Sequence, residues 1–353
     1  MKKIVKKLIQ NIRRKRILRS TKKDWFINDR HYENYKGVLS KEEIRCSKNF
    51  YKPYFKLDKQ DISMIAYYKF MLGKYFKEIL PDYYFYTDIK LFLNNQVVAD
   101  AFDNKSYYSL FLDCKAPFEP FKKIDGGFIL NNNYEEITLD DAIKSLKKNK
   151  EYIFKPSQIT SGGKGIEVLK PEQRNEIYDF CKRNKTFVVQ EIVKQHNVLS
   201  QFSKKSVNTI RTYSLFWDNK ITILGSCLRA STSDLLVDNF CSGGFFVPIN
   251  EIGELREYGI THSRQKINNI NGILFKGIKI PGYSKMIDII KKQHLKFPQV
   301  RFIGWDFAID ENGEPVFIEF NLSQCDPELL QIVADGPSFG QYQKEILEKT
   351  YRK

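Results

Sequence analysis

Two pairs of alternating apolar runs, each hinged on a short polar turn, most constrain what this chain can fold into. Asn208–Trp217 and Lys220–Ala230 flank Asp218-Asn219; Phe302–Asp310 and Pro315–Asn321 flank a turn containing Asn312-Gly313. Asn-Gly and Asp-Asn turns accept the left-handed backbone that tight hairpins need, so each pair predicts two antiparallel strands. Antiparallel hairpins separated by helical stretches exclude a doubly wound parallel sheet and predict an α+β chain.

The intervening patterns fill in that outline. Asp58 is placed to cap a helix carrying Ile62, Ile65, Ala66, Phe70, Met71, Tyr75 and Phe76, ended by Pro81. A short strand is expected near Gln96–Ala99, a helix from Asp103 or Asn104 to about Asp113, a turn at Pro117 and Pro120, and a helix over Thr138–Lys148 with Thr138 as its cap. Beyond Glu151 strands dominate: Tyr152–Lys155, Ile166–Leu169, Thr186–Gln190 and Gly244–Asn250. Helices are expected at Pro171–Asn184 and Lys285–Leu295. At roughly 150 residues per domain, 353 residues make two or three domains.

Composition narrows the function classes. With 42% hydrophobic and 28% charged residues the chain can bury a core, which excludes a disordered or collagen-like protein. No apolar stretch approaches 18 residues, so no transmembrane helix is expected. Cys46, Cys114, Cys181, Cys227, Cys241 and Cys325 form no CxxC pair and no Cys/His metal spacing, and read as free thiols of a reducing compartment.

The net charge of +16 is concentrated at one end. The first thirty residues hold twelve Lys or Arg against Asp24 and Asp29 alone. There Ile4, Val5, Leu8, Ile9 and Ile12 share one helical face among lysines and arginines. Such a basic amphipathic helix can lie on an anionic membrane surface through residues 1–20. A helix docked on its own protein, a nucleic-acid tail and a mitochondrial presequence are the competing readings. The near-balanced remainder and the absence of a basic-aromatic RNA motif argue against nucleic acid.

Two constellations carry chemistry. In the first, Tyr152-Ile153-Phe154-Lys155-Pro156 is followed by Ser161-Gly162-Gly163-Lys164-Gly165. A lysine at a strand end supplies a point charge, and glycines let backbone N–H groups approach phosphate oxygens. No GK[ST] enters a helix, so this is not a Walker A loop; nor is it a dinucleotide fingerprint. In the second, the two-residue period of the last hairpin puts Asp306, Glu319 and Asn321 on one face. Two carboxylates and an amide oxygen suit Mg²⁺, and an ordinary charged hairpin face is the competing reading.

In order, the lysine strand, the glycine loop, "VVQEIV", "NTIRTYSL", "DNFCSGG" and "GWDFAIDENGEPVFIEFN" resemble the ATP-grasp superfamily. Over residues 98–335 the chain most resembles the sugar-transfer-associated branch found among bacterial surface-polysaccharide genes. The resemblance implies an ATP-grasp fold, two α+β subdomains with antiparallel sheets gripping ATP. Its organisation would be a basic helix at 1–30, a mostly helical aromatic-rich region at 31–97, a first subdomain at 98–190 and a second at 191–353. Lys105 and Lys155 then match the two phosphate lysines, and Ser161, Gly162, Gly163 and Gly165 the loop that closes over the phosphates. Gln190, Glu191 and Val193 match the adenine hinge, and His196 lies near the nucleotide. Arg211 and Arg229 match the arginines facing phosphate or acyl intermediate, and Asn239, Gly243 and Gly244 the loop at the acceptor site. Asp306, Glu319 and Asn321 match the Mg²⁺ ligands.

The implied activity is an ATP- and Mg²⁺-dependent carboxylate–amine ligase working through an acylphosphate. It would amidate a uronic acid or attach an amino acid to a surface polysaccharide or its precursor. A phosphotransferase acting on a sugar or polyol hydroxyl is the alternative. The partners implied are a sugar carboxylate and an amine or amino acid, with a homo-oligomer left open; the place implied is the cytoplasm, at or near the inner face of the membrane. One departure is visible: many relatives follow the metal asparagine with Pro-Gly, whereas this chain has Leu322-Ser323-Gln324-Cys325-Asp326-Pro327. Nothing around Cys325 activates its thiol, so it reads as a spectator.

Overall fold

Asp218 and Asn219 both take positive φ, 50° and 57°, which lets β6 (Thr209–Trp217) turn directly into β7 (Lys220–Ser231). The computed structural model describes residues 16–20, 22–23, 34–35, 37–125, 127–157, 165–203, 206–231, 243–322 and 327–351. Residues 1–15, most of the basic amphipathic segment, lie outside that set, as do Ser161, Gly162, Gly163, Asn239 and Cys325. The contacts divide the chain into two compact units, residues 97–324 and residues 1–96 with 325–353.

Among the described residues, the larger unit contains two large antiparallel sheets and a small two-stranded one. The first has the order β2-β1-β5-β3-β4, from β1 (Phe121–Lys123), β2 (Ile129–Asn131), β3 (Tyr152–Pro156), β4 (Glu167–Leu169) and β5 (Phe187–Glu191). One of its faces is apolar. Phe121, Tyr152, Phe154, Phe187 and Val189 pack there with Ile143 and Phe180 of the helices Leu139–Ser145 and Arg174–Arg183. Alternation sends Lys122, Ile153, Lys155, Val188 and Gln190 to the opposite face.

The second sheet runs β10-β9-β8-β7-β6-β13-β14. It comprises both predicted hairpins, with β13 at Phe302–Ile309 and β14 at Pro315–Asn321, extended by β8 (Gly244–Ile249), β9 (Gly259–Thr261) and β10 (Lys266–Ile267). A further small hairpin pairs β11 (Asn269–Ile270) with β12 (Ile273–Leu274). Ile210, Leu228, Ile303, Trp305, Phe307 and Phe320 line one face and pack with Met286 and Ile290 of the helix Tyr283–His294. Gly282, at φ +64°, opens that helix; a Cβ there would lie 2.4 Å from the Gly313 carbonyl oxygen.

The smaller unit is helical and rich in buried tyrosine, as the sequence predicts for residues 31–97. Asp58 and Asp61 form a capping box at the start of Lys59–Leu72. Gly73, at φ 72°, ends that helix. Pro81 instead starts the next one, Asp82–Tyr84. Lys22, following the basic segment, reaches Asp58 at 2.8 Å and Asp61 at 2.9 Å.

Two further assignments differ from the sequence reading. Gln96–Phe102 is a helix, not a strand. Its Val97-Val98 pair has strand propensity, but Val98, Ala99 and Phe102 meet the core at helical spacing, and packing overrides propensity. Residues 325–353, placed by sequence with the second subdomain, belong by contact to the unit of the first 96 residues. Gln331 exchanges two 2.9 Å hydrogen bonds with the Leu80 backbone, and the Tyr351 hydroxyl donates to Asp88 at 2.8 Å.

Candidate functional site

The acids come from the last hairpin. Asp306 on β13 lies directly across from Glu319 on β14, and Gly304 lies across from Asn321, so both acids and the amide share the face away from the core. A bulge follows Asp306. β6 lies on the other side of β13 with Arg211 across from Asp306, and β7 brings Arg229 across from Thr209. Pairing and alternation thus gather Arg211, Arg229, Asp306, Glu319 and Asn321 on one face.

The contacts are short. Arg211 Nε and Nη2 donate to the two Asp306 oxygens at 2.6 and 2.7 Å, a bidentate fork 6% and 2% exposed at its two residues. Arg229 lies 3.6 Å from Asp306, and Asn321 Nδ2 donates to Asp306 at 3.3 Å. The Arg211 fork holds the first acid, with Arg229 beside it on the same face.

Lys155 comes from β3 of the first sheet, and Lys105 from the short turn Lys105–Tyr107. The Lys105 N–H donates to the Ser157 carbonyl at 3.2 Å, which ties its turn to the end of β3, and its ammonium lies 3.2 Å from Glu319. Burial works against the Lys105 charge, but Glu319 outweighs it and raises the pKa. Burial likewise opposes ionisation of Glu319; Lys105, then Lys155 and Arg211, overcome it and hold the carboxyl well below the usual range. Lys155 is pushed down to about 8 by burial, with Glu319 opposing the shift and Lys105 adding to it. Lys105, Lys155, Arg211 and Arg229 therefore face two carboxylates. The excess positive charge suits a polyanion, with carboxylate and amide oxygens at hand for a divalent cation. Among the described residues, no group of three or more His, Cys, Asp or Glu is arranged to hold a metal.

Other predicted positions fall around this cluster. Gln190 lies across from Ile153, on the Lys155 face. The Glu191 N–H is taken by the Phe118 carbonyl at 2.9 Å, and its side chain by Lys150 at 2.6 Å. Gly165 takes φ +77°, and a Cβ there would stand 3.2 Å from Pro156. Gly243, at φ +95°, leads into β8, which begins at Gly244. His196 is occupied structurally: its Nδ1 accepts the Val198 N–H at 3.2 Å, capping Asn197–Ser200, and its own N–H bonds the Ile309 carbonyl.

The sequence reading missed Glu119 and Lys122, a buried ion pair at 2.9 Å beside Gln190. The available signal was a pair of charges inside the aromatic run Phe118-Glu119-Pro120-Phe121-Lys122.

Lys155 on the first sheet and Lys105 on its neighbouring turn, with acids and arginines presented by the second sheet, define a site suited to a polyanion and a hard cation. The chain matches the family described as sugar-transfer associated ATP-grasp over residues 84–345, and it belongs to that family. No curated protein matches it. Similar solved structures include N5-carboxyaminoimidazole synthetase from Staphylococcus aureus complexed with ADP (13% identity, TM-score 0.40, 67% of this chain and 48% of that one). An L-amino acid ligase from Bacillus licheniformis (8%, 0.40, 72% and 49%) and D-alanine–D-alanine ligase from Helicobacter pylori (15%, 0.39, 70% and 61%) are also similar. The chain spans about half the length of the first two.

Proposed function

We propose that this protein is an ATP- and Mg²⁺-dependent carboxylate–amine ligase that modifies a bacterial surface polysaccharide or its precursor, by amidating a uronic acid or attaching an amino acid. One observation carries the reading: Lys105, Lys155, Arg211 and Arg229 surround Asp306, Glu319 and Asn321 on facing elements of one unit. Family membership supports the nucleotide assignment.

The donor set fits Mg²⁺, which takes one or two carboxylates and completes its shell with phosphate oxygens and water. Asp306, Glu319 and Asn321 would hold it, and it would supply charge neutralisation at the phosphates. Lys105 and Lys155 bind phosphate oxygens as point charges. The substrate carboxylate needs activation because hydroxide is a poor leaving group. Arg211 and Arg229 stabilise the phosphoryl group as it moves to that carboxylate, and then the acylphosphate that the amine attacks. The segment from Ser161 to Gly165 covers the phosphates and keeps water from the acylphosphate. No protein nucleophile is required; the work is positioning and electrostatics. Asn239, Gly243 and Gly244 border the acceptor, and the basic first thirty residues hold the enzyme near a lipid-linked substrate at an anionic surface.

The test is incubation with ATP, Mg²⁺ and a broad panel of sugar acids and amines, following ADP, free phosphate and amide. ADP with phosphate and amide is the expected result. ADP with phosphate on a sugar hydroxyl would replace the ligase by the phosphotransferase, and no ADP from any pair would end the proposal.

A further inference from the structure

We infer that Glu119 and Lys122 are positioning residues that fix the side-chain amide of Gln190 as an acceptor for the 6-amino group of adenine, and so set a preference for ATP over 6-oxopurine nucleotides. The inference rests on the nucleotide reading above.

Gln190 is 5% exposed and shares the sheet face of Lys155, across the strand pair from Ile153. Two residues of strand span about 7 Å, so the amide lies one step along that face from the phosphate lysine and just before the hinge. Its Nε2 donates to Glu119 Oε1 at 2.9 Å. A carboxylate only accepts, so the atom facing it must be the NH₂ end, and the carbonyl end is committed to the other side. That Oε1 is buried and has no hydrogen-bond partner among the described residues. A buried acceptor without a donor is unfavourable, and a ligand donor relieves it.

Glu119 is itself locked. Lys122 donates to its other oxygen at 2.9 Å, and Lys122 is 1% exposed. The ammonium is completed by the Ser106 carbonyl at 3.3 Å, the Ser109 hydroxyl at 3.2 Å and the Tyr134 ring at 4.4 Å. A buried Lys–Glu pair contributes little net stability, whereas it forbids the Gln190 amide from turning over. Adenine offers an N–H donor at its 6-position. Inosine and guanine offer a carbonyl there, which would set acceptor against acceptor.

Isothermal titration of the full chain with MgATP and with MgITP, which carries the 6-oxo group in place of the amine, tests this. The wild type is expected to bind ATP at least about fivefold more tightly than ITP, the worth of one hydrogen bond and the clash that replaces it. In Glu119→Gln the Lys122 ammonium still takes the new amide's oxygen, so its NH₂ faces Gln190 and turns that side chain's own NH₂ toward the ligand; the ratio should fall to one or below. The double variant Glu119→Gln, Lys122→Met leaves no unpaired buried charge, and serves if the single variant does not fold; it should show the same collapse. An unchanged ATP/ITP ratio in a folded variant overturns the positioning role while leaving the nucleotide site standing. Failure of the wild type to bind either nucleotide overturns both.

Discussion

Replacing Asp306 by Asn tests whether the site is organised around a balanced buried charge. Arg211 gives Asp306 two charge-assisted hydrogen bonds, 2.6 and 2.7 Å, in surroundings almost closed to water, and Arg229 lies 3.6 Å away. Asparagine keeps one acceptor but turns an NH₂ toward a guanidinium that can only donate. The variant therefore loses one charge-assisted bond, about 1.5–3 kcal/mol, and leaves a buried guanidinium without its counter-charge. Breaking one side of a buried pair costs about 3–5 kcal/mol in all. Because the chain has two units, a single melting temperature would mix their stabilities, so the assay is native-state hydrogen exchange of the β6 and β13 amides. A loss of about 3 kcal/mol accelerates global-opening exchange roughly a hundredfold at 1.36 kcal/mol per decade. Acceleration under tenfold would refute the reasoning, since Arg211 would then be balanced by something other than Asp306. The paired variant Arg211→Met, Asp306→Leu removes both charges and should sit much closer to wild type, yet bind no MgATP.

Other outcomes are expected. Lys155, at about 8 against an ordinary 10.5, is charged below pH 8 in the free protein and neutral above it. A polyphosphate binds the ammonium form, so MgATP affinity should be flat below pH 8 and fall as pH rises past it, by up to about tenfold per unit; a Lys155→Met variant should show a weaker, flat profile in the same titrations. His294, buried and pushed down to about 4, bonds the Ser214 hydroxyl through Nδ1 at 2.7 Å and the Val300 carbonyl through Nε2 at 2.9 Å. Its folded pKa is depressed, so the unfolded chain takes up the proton first. Stability is full above about pH 6.5 and declines by about 3 kcal/mol toward pH 4; hydrogen exchange of the Tyr283–His294 helix across that range should lose this slope in His294→Gln. Gly282→Ala places a Cβ 2.4 Å from the Gly313 carbonyl in left-handed backbone, and should destabilise the helix and the β13–β14 turn by about 1–3 kcal/mol, read by the same exchange measurement.

Much of the site was legible because it lies on two hairpins. Turn chemistry at Asp218-Asn219 and near Asn312-Gly313 sets which strands pair, and a two-residue period then sets which side chains share a face. Asp306, Glu319 and Asn321 could be grouped from those facts alone, and the Asp306–Glu319 pairing follows. Helix ends were legible where a side chain caps locally, as at Asp58 and Thr138. The strand expected at Gln96–Ala99 failed because two adjacent valines carry a local preference that the surrounding core overrode.

What the amino-acid order determined by itself was therefore short in range: turns, caps, alternation and the family motifs in their sequence. Only the tertiary structure decided that Arg211 clamps Asp306 from 95 residues away, that Glu119 holds Gln190 from 71, and that Gln331 closes on Leu80 from 251. These pairings depend on which sheet faces and helices meet. A lone charge or amide in a sequence carries no mark of the partner that will be buried beside it, because the demand for a partner arises only once water has been excluded.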